Sequence, residues 1–116
     1  DRRFFLMDVT TGDVREFGTG VLPSDGHCSL RPGGGWILND SYPDEARLQS
    51  LHLVREWDLR RIELGQFYAP PEVTGQVRRD LHPRWNRDVT QVCIDSAHEG
   101  SRQMYVLDVR AVVDLA

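Results

Sequence analysis

The sequence predicts an all-β chain made of antiparallel, four-stranded units, and three observations carry that expectation. Residues 25–41, DGHCSLRPGGGWILNDS, return at residues 80–96 as DLHPRWNRDVTQVCIDS. Without a gap, the copies pair Asp25 with Asp80, His27 with His82, Leu30 with Trp85, Ile37 with Val92, Leu38 with Cys93, Asp40 with Asp95 and Ser41 with Ser96. The centre of each copy, Pro32-Gly33-Gly34-Gly35 or Asn86-Arg87-Asp88, is turn chemistry: Gly supplies positive φ, and Asn and Asp tolerate it or bond back to the backbone. Each copy therefore reads strand, tight turn, strand. The remaining apolar runs are short and rich in strand formers. A self-similar unit fixes the architecture before local propensity does.

Residues 3–18, RFFLMDVTTGDVREFG, form a hairpin by their own signals. Phe4 to Val9 is strand-forming, Thr10-Thr11-Gly12-Asp13 is the turn, and Val14 to Phe17 alternates apolar with polar. Residues 19–24 lead into the first copy, and a polar connection, 42–47, leads out of it. Leu48, Leu51, Val54 and Ile62 then stand at near-helical spacing, so residues 44–64 taken alone read as an amphipathic helix. The internal comparison favours strands. Leu51-His52-Leu53-Val54 aligns with Phe4-Phe5-Leu6-Met7, and Ile62-Glu63-Leu64-Gly65 with Arg15-Glu16-Phe17-Gly18, again without a gap. Met104-Tyr105-Val106-Leu107-Asp108 repeats the same strand. Residues 66–79, with Pro70-Pro71 and Gly75, read as an extended surface connection. Residues 97–102 read as a loop, 103–109 as a strand and 111–115 as a further strand.

The unit is thus four consecutive antiparallel strands, and a length of about 45–55 residues suits a propeller blade. The chain then holds about two four-stranded antiparallel blades of a partial β-propeller. Residues 1–18 are strands three and four of one blade, 25–65 a complete blade, and 80–116 most of another. Closed propellers need about four to eight blades, and incomplete ends expose strand edges. The expectation is a piece of a longer propeller, or a chain that associates with itself.

Composition narrows the function. A chain of 116 residues, 40% hydrophobic and 28% charged, is that of one globular domain. A net charge of −4 argues against a nucleic-acid binder, which wants a basic face. No apolar run approaches the ~20 residues of a membrane span. The compartment stays open, cytoplasmic or periplasmic. Cys28 and Cys93 lack metal-type spacing, and Cys93 replaces Leu38, so it reads as a small hydrophobe. Nucleophile-elbow and zinc-hydrolase motifs are missing, and Gly33-Gly34-Gly35 precedes a strand and so makes a poor phosphate cradle.

The strand-turn-strand pattern, ending in Asp-Ser, resembles the TolB-like (WD40-like) propeller repeat. More narrowly, DGHCS at 25–29, DLHPRW at 80–85 and SRQMYVLDV at 101–109 resemble the oligogalacturonate lyase branch. That resemblance implies a seven-bladed propeller cleaving pectic oligomers by β-elimination. It implies a manganese ion held by histidines and a glutamine, with a separate histidine as base. Residue by residue, His27 and His82 match ligand positions at the start of strand one in successive blades. Arg84 stands where another histidine is expected, no glutamine falls on the remaining ligand position, and the blades holding the base are not in this chain. No catalytic residue is assigned.

The repeat carries its own geometric argument. First strands of successive blades run the same way, so their starts share one face of the disc. That face gathers Asp25, His27, Asp80, His82 and the loop bearing His98, Glu99 and Arg102. Imidazoles and carboxylates close together can bind a divalent transition metal, and such an ion can acidify the proton α to a uronate carboxylate; manganese is the ion the resemblance implies. His27, His82 and His98 are the candidate ligands, with Asp80 or Glu99 as further donors. Arg78, Arg79, Arg84 and Arg102 are candidate clamps for the carboxylate of an acidic oligosaccharide. Against this stands the reading of His27 and His82 as structural hydrogen-bond hubs. A different class of function, a non-catalytic scaffold for protein partners, fits the same repeat. His52 reads as a packing or surface position. Trp85, like Leu30 which it replaces, reads as core.

Overall fold

The computed structural model of the chain describes residues 3–22, 26–72 and 80–114. Nine strands follow one another in these segments: β1 (Phe4–Met7), β2 (Val14–Phe17), β3 (Cys28–Leu30), β4 (Trp36–Asp40), β5 (Leu48–Arg55), β6 (Arg61–Tyr68), β7 (Arg84–Trp85), β8 (Gln91–Ser96) and β9 (Gln103–Asp108). A single helical turn, α1 (Arg110–Val113), ends the described chain. Every pairing is antiparallel and joins sequence neighbours, giving sheets β1-β2, β3-β4-β5-β6 and β7-β8-β9. The described residues form no closed ring.

The register follows the internal repeat. Ser29 faces Leu38 and Leu30 faces Ile37 in the first copy; Arg84 faces Cys93 and Trp85 faces Val92 in the second. Likewise Phe5 faces Glu16 and Leu6 faces Arg15, as His52 faces Glu63 and Leu53 faces Ile62. One irregularity, a bulge at Leu51/His52, breaks the parallel. Residues 44–64 hold no helix, because their apolar side chains serve both faces of a covered strand.

The four-stranded sheet lies between the other two. Trp36, Leu38, Leu51 and Leu53 on one face pack with Leu81, Val92, Ile94, Val109 and Val113. Ile37 and Val54 on the other pack with Phe17 and Leu22, with Phe4 and Leu6 alongside. Alternate residues of β4 therefore enter different cores, so all five are buried, as expected of a strand covered on both faces. Trp85 packs half-buried against the larger core, as read from the sequence. His52 is a buried packing position.

Two expectations need correction. Residues 111–113 are helical, not strand. The Asp108 carboxylate accepts the Arg110 N–H at 3.0 Å and pairs with its guanidinium at 2.6 Å, which turns the chain as β9 ends. The turn then buries Val113 in the larger core; Leu115 lies outside the described residues. Gln66–Tyr68, read as connection, instead continue β6 opposite Leu48–Ser50. Residues 73–79 of that connection lie outside the described residues.

Candidate metal centre

His27 enters β3 behind Gly26, and the reason for glycine is close approach: any Cβ there would collide with the Asp40 carbonyl. The Asp40 side chain, fully buried at the end of β4, holds His27 twice. It accepts the backbone N–H at 2.6 Å, and both its oxygens lie 3.2 Å from Nδ1. Burial raises the Asp40 pKa, and the His27 hydrogen bonds oppose that rise. A carboxylate facing Nδ1 makes that nitrogen the donor and leaves the Nε2 lone pair for a ligand, the arrangement metal-binding histidines use.

The partner histidine comes from the other copy. Leu81 is fully buried, and its carbonyl accepts the Asp95 N–H at 2.8 Å, so the segment before β7 is pinned. His82 then adopts φ +46°, a left-handed conformation uncommon for a side-chain-bearing residue and disfavoured before a proline. This backbone brings the His82 ring to 4.7 Å from the His27 ring, centre to centre, at 39°. Asp80, 9% exposed, completes the group. One donor atom from each of His27, Asp80 and His82 lies within 4.8 Å of the others. Tyr42 meets the His27 ring edge-on at 5.8 Å.

Two imidazoles and one carboxylate suit a divalent transition ion. Bonds of about 2.1 Å place adjacent donors about 3–3.5 Å apart, so small side-chain rotations would close the set. Three protein donors leave positions open for water or substrate, and the exposed His82 gives solvent a way in. These residues can hold a metal ion.

The structure does not bring His98 to this group. Ser96 Oγ lies 2.7 Å from His98 Nδ1, and the ring packs between Phe67 and Tyr105. Glu99 accepts the Tyr105 hydroxyl at 2.6 Å, a bond that pushes the phenol up to about 12. Among the described residues, His27, Asp80 and His82 are the one cluster whose donors could hold a metal ion. Arg84 and Arg102 both turn to Asp95, at 3.2 and 3.5 Å, instead of standing free. Arg78, Arg79 and Asp25 lie outside the described residues. Sequence reasoning missed that Asp40 reaches the His27 ring, and that Tyr42 flanks it. The shared register of Asp40 and Asp95 was the available signal. The sequence matches no known protein-family model and no curated protein.

Proposed function

We propose that the chain binds a divalent metal ion, manganese or a chemically similar ion, through His27, Asp80 and His82. The exposed side of this centre presents the ion to an acidic oligosaccharide. The observation that carries the reading is the buried Asp40 carboxylate on His27 Nδ1, which leaves Nε2 as the donor of a residue that clusters with Asp80 and His82. When bound, the ion would polarise a uronate carboxylate, which favours β-elimination at the neighbouring carbon. The protein's own part is to fix the His27 tautomer, to set His82 in place through its left-handed backbone, and to supply a negative donor in Asp80. The choice of manganese and of an acidic oligosaccharide draws on the resemblance of the repeats to the oligogalacturonate lyase branch of TolB-like propellers.

A second reading, a metal-free propeller scaffold for protein partners, draws on a separate observation. The pairing of Arg84 and Arg102 with Asp95 engages two cations that would otherwise hold a uronate. Calorimetric titration with Mn²⁺ separates the two. The proposal expects one site per chain, lost in both His27→Ala and His82→Ala. Binding that survives both substitutions, or no binding in the parent chain, would leave the scaffold. Tetragalacturonate added to the loaded protein then tests the substrate class, read as the ultraviolet absorbance of an unsaturated product.

A further inference from the structure

The turn between β5 and β6 carries Trp57, which is 71% exposed yet firmly held. The Arg55 guanidinium lies 4.4 Å from the Trp57 ring centre and 5.9 Å from that of Trp36, within cation–π range of both. Asp58 fixes the guanidinium with bonds of 2.6 and 3.0 Å, which draws the Asp58 pKa down to about 2. Indole, guanidinium and carboxylate are thus linked in series, with most of the indole left to solvent.

Beside it lies the turn between β3 and β4, joined by the Glu56 N–H donating to the Gly35 carbonyl at 2.9 Å. Gly33, Gly34 and Gly35 all have φ near +90°, and the space a side chain would take is open at each. The Gly33 and Gly35 amides make no hydrogen bond among the described residues. An aromatic wall therefore stands next to bare backbone donors. This end of the sheet is opposite the histidine cluster, separated by the length of β4, about 13 Å.

We infer that Trp57, with the Gly33–Gly35 backbone, forms a second binding site for a neutral pyranose ring. A sugar presents a C–H face that stacks on an indole, edged by hydroxyls that accept from backbone N–H and from indole Nε1–H. Cationic ligands are disfavoured, because Arg55 already occupies the ring's other face and draws on the same quadrupole. A carboxylate gains nothing from Arg55, whose charge is committed to Asp58.

The test follows the three indole N–H resonances of the ¹⁵N-labelled full chain during titration with cellotetraose and with maltotetraose. One resonance, missing in Trp57→Ala, should move and saturate in the low millimolar range, typical of one stacking contact at about −4 kcal/mol. Trp57→Ala should weaken binding at least about tenfold and Trp57→Tyr by no more than about threefold. Saturation-transfer difference on the unaltered protein gives a readout that needs no variant. His27→Ala should change nothing, so failure of the metal proposal would leave this one standing. No shift with either tetrasaccharide, a shift persisting in Trp57→Ala, or a shift produced only by a proline-rich peptide would overturn it.

Discussion

At the end of β4, Asp40 turns a buried carboxylate onto the His27 ring. At the matching place on β8, Asp95 takes two arginines, Arg84 and Arg102. The two copies share strand register, yet their polar ends are wired for different tasks. In the first, a carboxylate sealed from water orients an imidazole. In the second, a half-buried carboxylate is neutralised at its own edge, and His82 swings through a left-handed backbone to join the first copy's site. In the proposed metal site, one repeat would supply the oriented ligand and the other would complete the set. Equivalent positions in a repeat therefore need not carry equivalent chemistry.

The contrast extends to packing and sets the order of expected effects. Leu38 is fully buried, whereas Cys93, its counterpart, is half-exposed. Leu38→Ala should cost about 3 kcal/mol or more in urea unfolding, and Cys93→Ala less than about 1. Equal costs would show that the second copy's outer face is packed as tightly as the first's.

Next comes His52, buried where the other sheet carries Tyr105. Its Nδ1 has no hydrogen-bond partner, and burial, aided by Arg61, pulls its pKa down to about 4. Above pH 6.5 the ring is neutral folded or unfolded, so it adds no pH dependence. As pH falls toward 4, the unfolded chain takes up the proton first and folded stability drops. The total loss is on the order of 3 kcal/mol below pH 4. His52→Phe should remove that part of the stability–pH curve, and an unchanged curve would place the titration elsewhere.

A smaller effect separates the two aspartates. Asp40→Asn should lower Mn²⁺ affinity about 10–100-fold by releasing the His27 ring. Asp95→Asn should leave affinity unchanged and cost no more than about 1 kcal/mol of stability. Equal effects on affinity would erase the division of labour between the copies. Smallest is the turn position where Gly34 has φ +88° and its counterpart Val89 has +52°. Left-handed backbone strains a β-branched residue, so Val89→Asn should raise stability by up to about 1 kcal/mol.

Much of the fold was legible because strand side chains alternate with period two. A gapless internal alignment therefore carries register from one copy to the other: Leu30 faces Ile37 as Trp85 faces Val92. The last turn was not legible: the Asp108–Arg110 contact outweighed the strand preference of Val112 and Val113. At the site, the repeat pointed to His27, His82 and Asp80. It gave no sign that His98 would settle against Ser96, Phe67 and Tyr105, since a loop side chain is placed by neighbours that no period encodes. Nor did it reveal that Arg84, one residue from the buried Pro83, would fold back onto Asp95.

His27 belongs to the middle sheet and His82 to its neighbour, so a single ion bound by both would act as a cross-link. The chain between them is a loop of about 55 residues. Closing such a loop reduces the freedom of the unfolded ensemble by about 4 kcal/mol on the chain-entropy account used for disulfides. The ion would thus serve as a rivet between two layers as well as a reagent, and a chelator would loosen the seam between the sheets.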